Sequence, residues 1–527
     1  MLASLMSRQR GRNAELATFM VLAVAVASIA SVAILYLSLI GSKKVLATAV
    51  ASVAGLAAIY LAGNLRLFAL WGVMATLPLD LSKRFGPQIL KMGGESSFRA
   101  EISDVFWVIL LGYQIWDISR DRIARFWIPP ILYRWIILIL LGACWAIWGD
   151  FRITAAQEVV RMLKLSLMFL VITNELRTRQ RFVHAITAMA LGVALQGVVG
   201  GVQYYTKKHL GLSMLGEMGE IGMDVLAANS VEGLQVFRVS GLLSHPNVFG
   251  AFLGALLPMV VGGILLCESW GQRLFFLASF ALGLSSLIFT LSRSGWVSFA
   301  AGALLLVVLM YRHHGLRRRV VVAISAAALV GGITLIALSG PIIKRIFDSR
   351  GDAMRGRDEY KRDAWGMIEA RPFLGWGLNS YVMAVPPFTK YGAMGAVLHY
   401  KGWIPPVHHI YYLWWSELGI VGLILHLWWL AGCVFIGLRN LKIRDPYLYT
   451  LNAACLAGMA AFMVDGFFSF SLRFNSILRV FWVMTAMMAA IRYWRLREIA
   501  GLIGAEPITA PPVSDAAENT ASSSRWR

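Results

Sequence analysis

The chain has 527 residues, 58% of them hydrophobic and 15% charged, with a mean hydropathy of +0.66. A soluble globular chain carries about a quarter charged residues, so the composition excludes that class and fits an all-α polytopic membrane protein. The net charge of +21 is then largely topogenic Lys and Arg beside membrane spans, the remainder facing anionic lipid or phosphate, with no nucleic acid implied.

A span needs about 20 mostly apolar residues. On that scale the chain reads as about 14 helices, at 16–40, 45–63, 66–81, 103–119, 128–149, 155–175, 182–204, 247–267, 273–291, 295–312, 319–339, 409–437, 447–468 and 474–494. The first apolar run is of full span length with no clear small-residue cleavage site after it, so it reads as a span rather than a cleavable signal peptide. Placing the N-terminus in the cytoplasm puts the basic clusters around Arg8, Arg120, Arg177, Arg317, Arg439 and Arg492 inside, as positive-inside topology requires. Lys43 and Lys44 are the main violation.

This topology divides the chain into N-terminal membrane helices (1–204), an outer loop (205–246), further helices (247–339), a large periplasmic loop (340–408), C-terminal helices (409–494) and a disordered cytoplasmic tail (495–527). A shorter outer stretch covers 82–102. The large loop is expected to be partly helical. It holds ten Lys/Arg and six Asp/Glu, a basic excess that topology does not require on the outer side and that an anionic ligand would explain. The four cysteines all fall in apolar segments and show no zinc or disulfide spacing.

Four motifs face that outer side. In "FRVSGLLSHPNVFGAFLGALLP" (237–258), Arg238 precedes a turn-rich segment in which Ser244 and Asn247 are the expected helix caps. In "LIFTLSRSGWVSFAAGALL" (287–305), Arg293 sits between two apolar runs with Ser292 and Ser294 beside it, and charge at membrane depth is usually functional. In "RGRDEYKRDAWGMIEARPFLGWGLNSY" (355–381), Arg357, Lys361, Trp365 and Glu369 recur at helical spacing, Pro372 stops the helix, and Gly375 and Gly377 make a turn. In "VHHIYYLWWSELGIVGL" (407–423), His408 and His409 stand just ahead of an apolar run, and no acidic residue lies at metal-ligand spacing until Glu417. No phosphate-binding Gly-rich loop with a following Lys occurs. An enzyme on this face therefore needs a donor already activated and already in the membrane, such as a lipid-linked sugar diphosphate. Arginines would hold the developing phosphate charge and a histidine would take the acceptor proton.

These four stretches, in this order across 237–422, resemble the bacterial O-antigen ligase and O-antigen polymerase superfamily. The resemblance implies an all-helical membrane glycosyltransferase with a large periplasmic loop, moving a glycan from an undecaprenyl diphosphate carrier to a glycan or lipid acceptor. By position, the family's Ser-Arg motif falls on Ser292 and Arg293. Its His-Asn-x-Tyr-Leu … Glu-Leu-Gly motif falls on His408, His409, Tyr411, Tyr412, Leu413, Glu417, Leu418 and Gly419, with His409 replacing the usual Asn. Its loop arginine falls on Arg357.

The expectation is thus a glycosyltransferase of the inner membrane that polymerises or ligates lipid-linked oligosaccharide for O-antigen or exopolysaccharide, with chain length leaning toward polymerisation. It would use no cofactor or metal and would work on the periplasmic side. His408 and His409 are the expected catalytic residues, Arg293, Arg238 and Arg357 the diphosphate-binding ones, and Ser292, Lys361, Tyr411 and Glu417 the supporting ones. A transporter or flippase for lipid-linked sugars or anionic lipids is the competing class. It fits the same helices and arginines, but paired repeats with broken helices are not seen in the sequence.

Overall fold

Backbone polar groups in hydrocarbon must be satisfied within their own segment, so apolar runs of span length fold as helices. A computed structural model of the protein describes residues 64–79, 81–87, 96–120, 126–217, 237–313, 352–394 and 405–499. The chain divides into two units, 1–69 and 70–527, and the second holds nearly all of the described residues. The expected spans 16–40, 45–63 and 319–339, the basic clusters near Arg8 and Arg317, and the tail beyond residue 499 lie outside the described residues.

After the short helix Leu65–Ala75 the chain forms an antiparallel hairpin, β1 (Ser82–Phe85) and β2 (Phe98–Glu101), with Ser82 opposite Glu101. The helices follow as α1 (Ile102–Ser119), α2 (Ile131–Trp148), α3 (Arg152–Glu175), α4 (Arg179–Thr206), α5 (Pro246–Leu266), α6 (Trp270–Phe289), α7 (Arg293–Arg312), α8 (Asp352–Ala370), α9 (Ile410–Asn440), α10 (Pro446–Asp465) and α11 (Asn475–Ile499). Among the described residues eight helices are long and apolar enough to cross a membrane: α2, α4, α5, α6, α7, α9, α10 and α11. The protein is a mostly helical, multi-pass membrane protein; of the eleven expected spans that fall among the described residues, eight qualify and those at 66–81, 103–119 and 155–175 do not. The segment 66–81 contributes only the 11-residue helix Leu65–Ala75. The segment 155–175 is helical as α3, yet carries Glu158, Arg161 and Lys164. Those charges are tolerated because they pair inward, Arg161 with Glu158 and Lys164 with Asp104 at 2.7 Å. The stretch 82–102, expected on the outer side, holds the hairpin, and α11 continues to Ile499, past the expected start of the tail at 495.

The centre of the bundle is α5, which packs against α4, α6, α7 and α10, while α11 packs against α3, α9 and α10. A second core is aromatic. Trp135 lies 4.6 Å from Trp429 and 5.0 Å from Trp482, which also meets Phe169 at 5.0 Å, joining α2, α9, α11 and α3.

The α9 helix is broken at Gly419, whose φ of 65 and ψ of −169 are not helical. The part after the break, about 21 residues and roughly 31 Å long, by itself matches a hydrocarbon core. The turn after α8 is spliced into the gap. Trp376 and Gly377 donate their amides to the freed carbonyls of Ser416 and Glu417, at 3.3 and 2.7 Å. Ile420 and Val421 donate to the carbonyls of Pro372 and Phe373, at 2.8 and 3.3 Å. Four backbone groups that a break would leave unpaired are thus satisfied. The fit leaves no room for side chains: a Cβ on Gly419 would lie 2.1 Å from the Phe373 carbonyl oxygen, and one on Gly375 would lie 2.4 Å from that of Glu417. Gly419→Ala is therefore expected to cost more than about 2 kcal/mol, whereas Gly201→Ala, in an α4 position with open space around it, should be neutral or gain up to about 1 kcal/mol. Thermal unfolding of the two detergent-purified variants beside the parent protein checks this contrast.

Candidate active site

Three helix starts meet here, and two of them touch backbone to backbone. A Cβ on Gly295 would lie 2.9 Å from Gly250 Cα, and one on Gly250 would lie 2.9 Å from Ser292 Cβ. Glycine at both positions lets the first turns of α5 and α7 cross in contact. The chain enters both helices the same way: Ser244 (φ 61) and Leu291 (φ 50) are left-handed, and the next residue is the cap. Ser292 Oγ accepts from Gly295 N at 3.3 Å to cap α7, and it bonds Ser294 Oγ at 3.2 Å. The α5 cap is His245, whose Nδ1 accepts from Asn247 N at 3.1 Å. This replaces the expected capping by Ser244 and Asn247. Their side chains are used elsewhere, Ser244 Oγ donating to the Gly216 carbonyl and Asn247 Oδ1 accepting from Arg238. Arg238, buried, also donates Nε to the Thr290 carbonyl at 2.9 Å, so it brackets the α5 start to the corner between α6 and α7.

The third start is that of α9. His409 Nδ1 accepts from Tyr412 N at 3.4 Å, which makes His409 the cap. Asn is among the best N-caps, so the histidine does in this chain what the amide of the resembled motif would do. Its ring packs on Tyr412 and Phe467, and burial together with the charge of exposed Lys361 holds its pKa below the ordinary value. His408, one residue earlier, is free of that duty. Its ring lies over Tyr360 of α8 at 5.9 Å and edge-on to Phe470 at 5.3 Å. Burial, then the Arg357 guanidinium, push its pKa down to about 4, against a small opposing pull from the Pro406 backbone.

Arg357 is close enough to Arg293, Asp465 and His408 for their charges to interact. Burial, then Arg293, disfavour its charged form, and Asp465 favours it. Among the described residues, neither Arg293 nor Arg357 has a hydrogen-bond or ion-pair partner. Asp465, only 1% exposed at the end of α10, has the side chains of Ser294 and Ser471 beside its carboxylate. Two uncommitted guanidiniums, one buried carboxylate and a neutral imidazole therefore share one site. Arginine presents a fork of donors matched to phosphate oxygens, and an anion between two like charges relieves their repulsion.

The remaining expected residues serve the frame. Glu417, 1% exposed, accepts the amides of Asn379 and Tyr381, both at 3.1 Å, and both oxygens take Arg473 Nη2, at 2.9 and 2.8 Å. Tyr411 donates its hydroxyl to the Met463 carbonyl at 2.9 Å, fastening α9 to α10. The site thus brings together Arg238, Ser292, Arg293, Arg357 and His408. His409 and Lys361 lie at its edge, and Glu417 and Tyr411 stand behind it. Sequence reasoning passed over His245, Tyr360, Asp465 and Arg473. Asp465 and Arg473 carried a usable signal, as charges bordering apolar runs. Tyr360 carried none.

Residues 278–427, from within α6 to within α9, match the family model described as O-Antigen ligase. That stretch contains Arg293, Arg357, His408 and Glu417, while Arg238, His245, Asp465 and Arg473 lie outside it. A search of the curated proteins gives no match.

The capping role of His409 can be tested by substitution. His409→Asn keeps an N-cap and should leave stability within about 0.5 kcal/mol, whereas His409→Ala should lose about 1 kcal/mol. Melting curves of the two variants in one detergent test this.

Proposed function

The chain belongs to the O-antigen ligase family, and on that premise we propose that it transfers a glycan from undecaprenyl diphosphate to an acceptor hydroxyl, at the periplasmic face of the inner membrane. The observation that carries this reading is the pair of guanidiniums, Arg293 and Arg357, neither hydrogen-bonded nor ion-paired among the described residues, beside a histidine held neutral. The starts of α5, α7 and α9 add positive potential there, since unpaired N–H groups at helix starts attract anions.

In this reading His408 takes the proton from the acceptor hydroxyl. The oxygen forms its bond to the anomeric carbon as the bond from that carbon to the phosphate oxygen breaks. The electron pair leaves with the diphosphate, where Arg293 and Arg357 hold the growing charge. Arg238, tied to Thr290 and Asn247, adds charge from behind and sets the α5 and α7 starts. Ser292 caps the helix that carries Arg293, Lys361 extends the positive rim, and Glu417 and Tyr411 keep the loop and α9 in place. The arginines supply the charge that a metal ion supplies elsewhere, so the step calls for no metal.

Polymerisation and ligation share this chemistry and differ in acceptor. The competing reading, a transporter for the same lipid, makes no glycosidic bond, so product formed from a lipid-linked donor in detergent decides against it.

His408→Ala should lower glycan assembly by about 100- to 10,000-fold, the usual contribution of a general base, at unchanged protein level. Wild-type product from that variant would remove His408 from the mechanism. On lipopolysaccharide gels of a deletion strain, loss of long chains with one repeat kept on the core means polymerase, and loss of every repeat means ligase. The pH profile follows from the depressed pKa. With His408 at about 4, the base is neutral through the physiological range, so kcat/KM stays flat down to about pH 5 and falls as pH drops further. Arg357→Gln removes a cation that disfavours the imidazolium, so the falling limb should move to higher pH as activity drops.

A further inference from the structure

We propose that His245 binds the donor's diphosphate as well as capping α5, its Nε2–H donating a hydrogen bond to a phosphate oxygen of the leaving group. This assignment rests on the transferase reading and adds a residue to it. Its first support is the tautomer. Nδ1 accepts the Asn247 amide proton at 3.1 Å, so in the neutral ring the proton is on Nε2. Among the described residues that N–H has no hydrogen-bond partner. Its second support is position. The same cap carries Asn247, which holds Arg238 at 2.7 Å, and the α5 start lies against the Ser292 turn that carries Arg293.

Its third support is charge. His245 is close enough to Arg238 and to His408 to feel both, and burial, then these two, push its pKa down to about 3. A ring so placed remains a neutral donor throughout the working pH range. It does not compete with His408 for the acceptor proton, and it donates to an anion without adding a third charge to the two crowded guanidiniums. The backbone supports the same view. Ser244 holds a left-handed φ of 61 just before the cap, strain of a kind that tends to persist where a functional side chain is being aimed.

Capping and ligand binding use different ring atoms, so two substitutions separate them. An Asn side chain reaches the Nδ1 position and a Gln side chain the Nε2 position. His245→Asn keeps the cap and loses the donor, while His245→Gln keeps the donor and weakens the cap. The experiment is binding of undecaprenyl diphosphate to the full-length protein in detergent, read as a titration of thermal stability, with Arg293→Ala as reference. The expected result for His245→Asn is a melting temperature like wild type and binding weaker by about 10- to 100-fold, as for a lost hydrogen bond to a charged group. The expected result for His245→Gln is a melting temperature lower by a few degrees with binding within about threefold of wild type.

Wild-type binding by His245→Asn would overturn the proposal and leave His245 a cap alone. Equal loss of binding by both variants would overturn it too, since the cap would then be what matters. If wild type does not bind undecaprenyl diphosphate, or Arg293→Ala binds it as well as wild type, the diphosphate site itself is wrong and the transferase reading fails with it.

Discussion

The carboxylate of Glu417 holds three separate pieces of chain to one point. It takes the amides of Asn379 and Tyr381 from the loop after α8 and the guanidinium of Arg473 from the turn between α10 and α11. Arg473 also donates to Asn379 Oδ1, and its own carbonyl accepts from Arg161 of α3. A buried ion pair adds little net stability, but losing one partner strands the other and costs about 3–5 kcal/mol. Such a pair acts mainly as a specification. Bonded in this way, Glu417 fixes the loop, the break in α9 and the α10–α11 turn in one arrangement that pairs both of its carboxylate oxygens.

That arrangement sets the height and orientation of the candidate site. The splice at Gly419 locks the turn after α8 to α9, and α8 packs on α9. Arg357 and Tyr360 on α8 are thereby held over His408 at the start of α9. From the other side, the contact of Gly250 with Gly295 brings the α5 and α7 starts together and with them His245 and Arg293. The site is therefore an assembly of helix beginnings, held by backbone fits that admit no Cβ. Its electrostatics follow from the assembly. Positive charge is collected and left partly uncompensated, and the two histidines are kept neutral by burial and by that same charge. An anion entering such a site finds its counter-charges already in place, so little reorganisation is needed as charge develops.

Adjacent His408 and His409 are equivalent as letters, yet only one is spent on capping. The difference arises because the helix begins at Ile410, and the residue immediately before a helix is the one whose side chain reaches back to its first amides. His245 plays the cap at α5, where Ser or Asn was the expectation from propensity. Ser244 sits one residue too early with a left-handed backbone, and Asn247 is taken by Arg238. Local preference named good capping residues, and the tertiary contacts decided which of them was available.

By itself, the sequence determined the class, the eight spans that qualify among the described residues, and the candidate residues Ser292, Arg293, Arg357 and His408. Hydropathy and charge report directly on transfer from water to lipid, a property each segment carries alone. It also determined that Pro372 ends α8 and that glycines follow. It did not determine that α3 is a charged helix with its ions turned inward, or that Gly419 breaks a run which looks continuous. Nor did it determine that Asp465, Tyr360 and His245 join the site. Such outcomes depend on partners distant in the chain: Asp104 for Lys164 of α3, Phe373 for Gly419, Arg357 for Asp465. A pattern read along the chain records what a segment prefers, and only packing across the bundle settles which buried charge finds which partner.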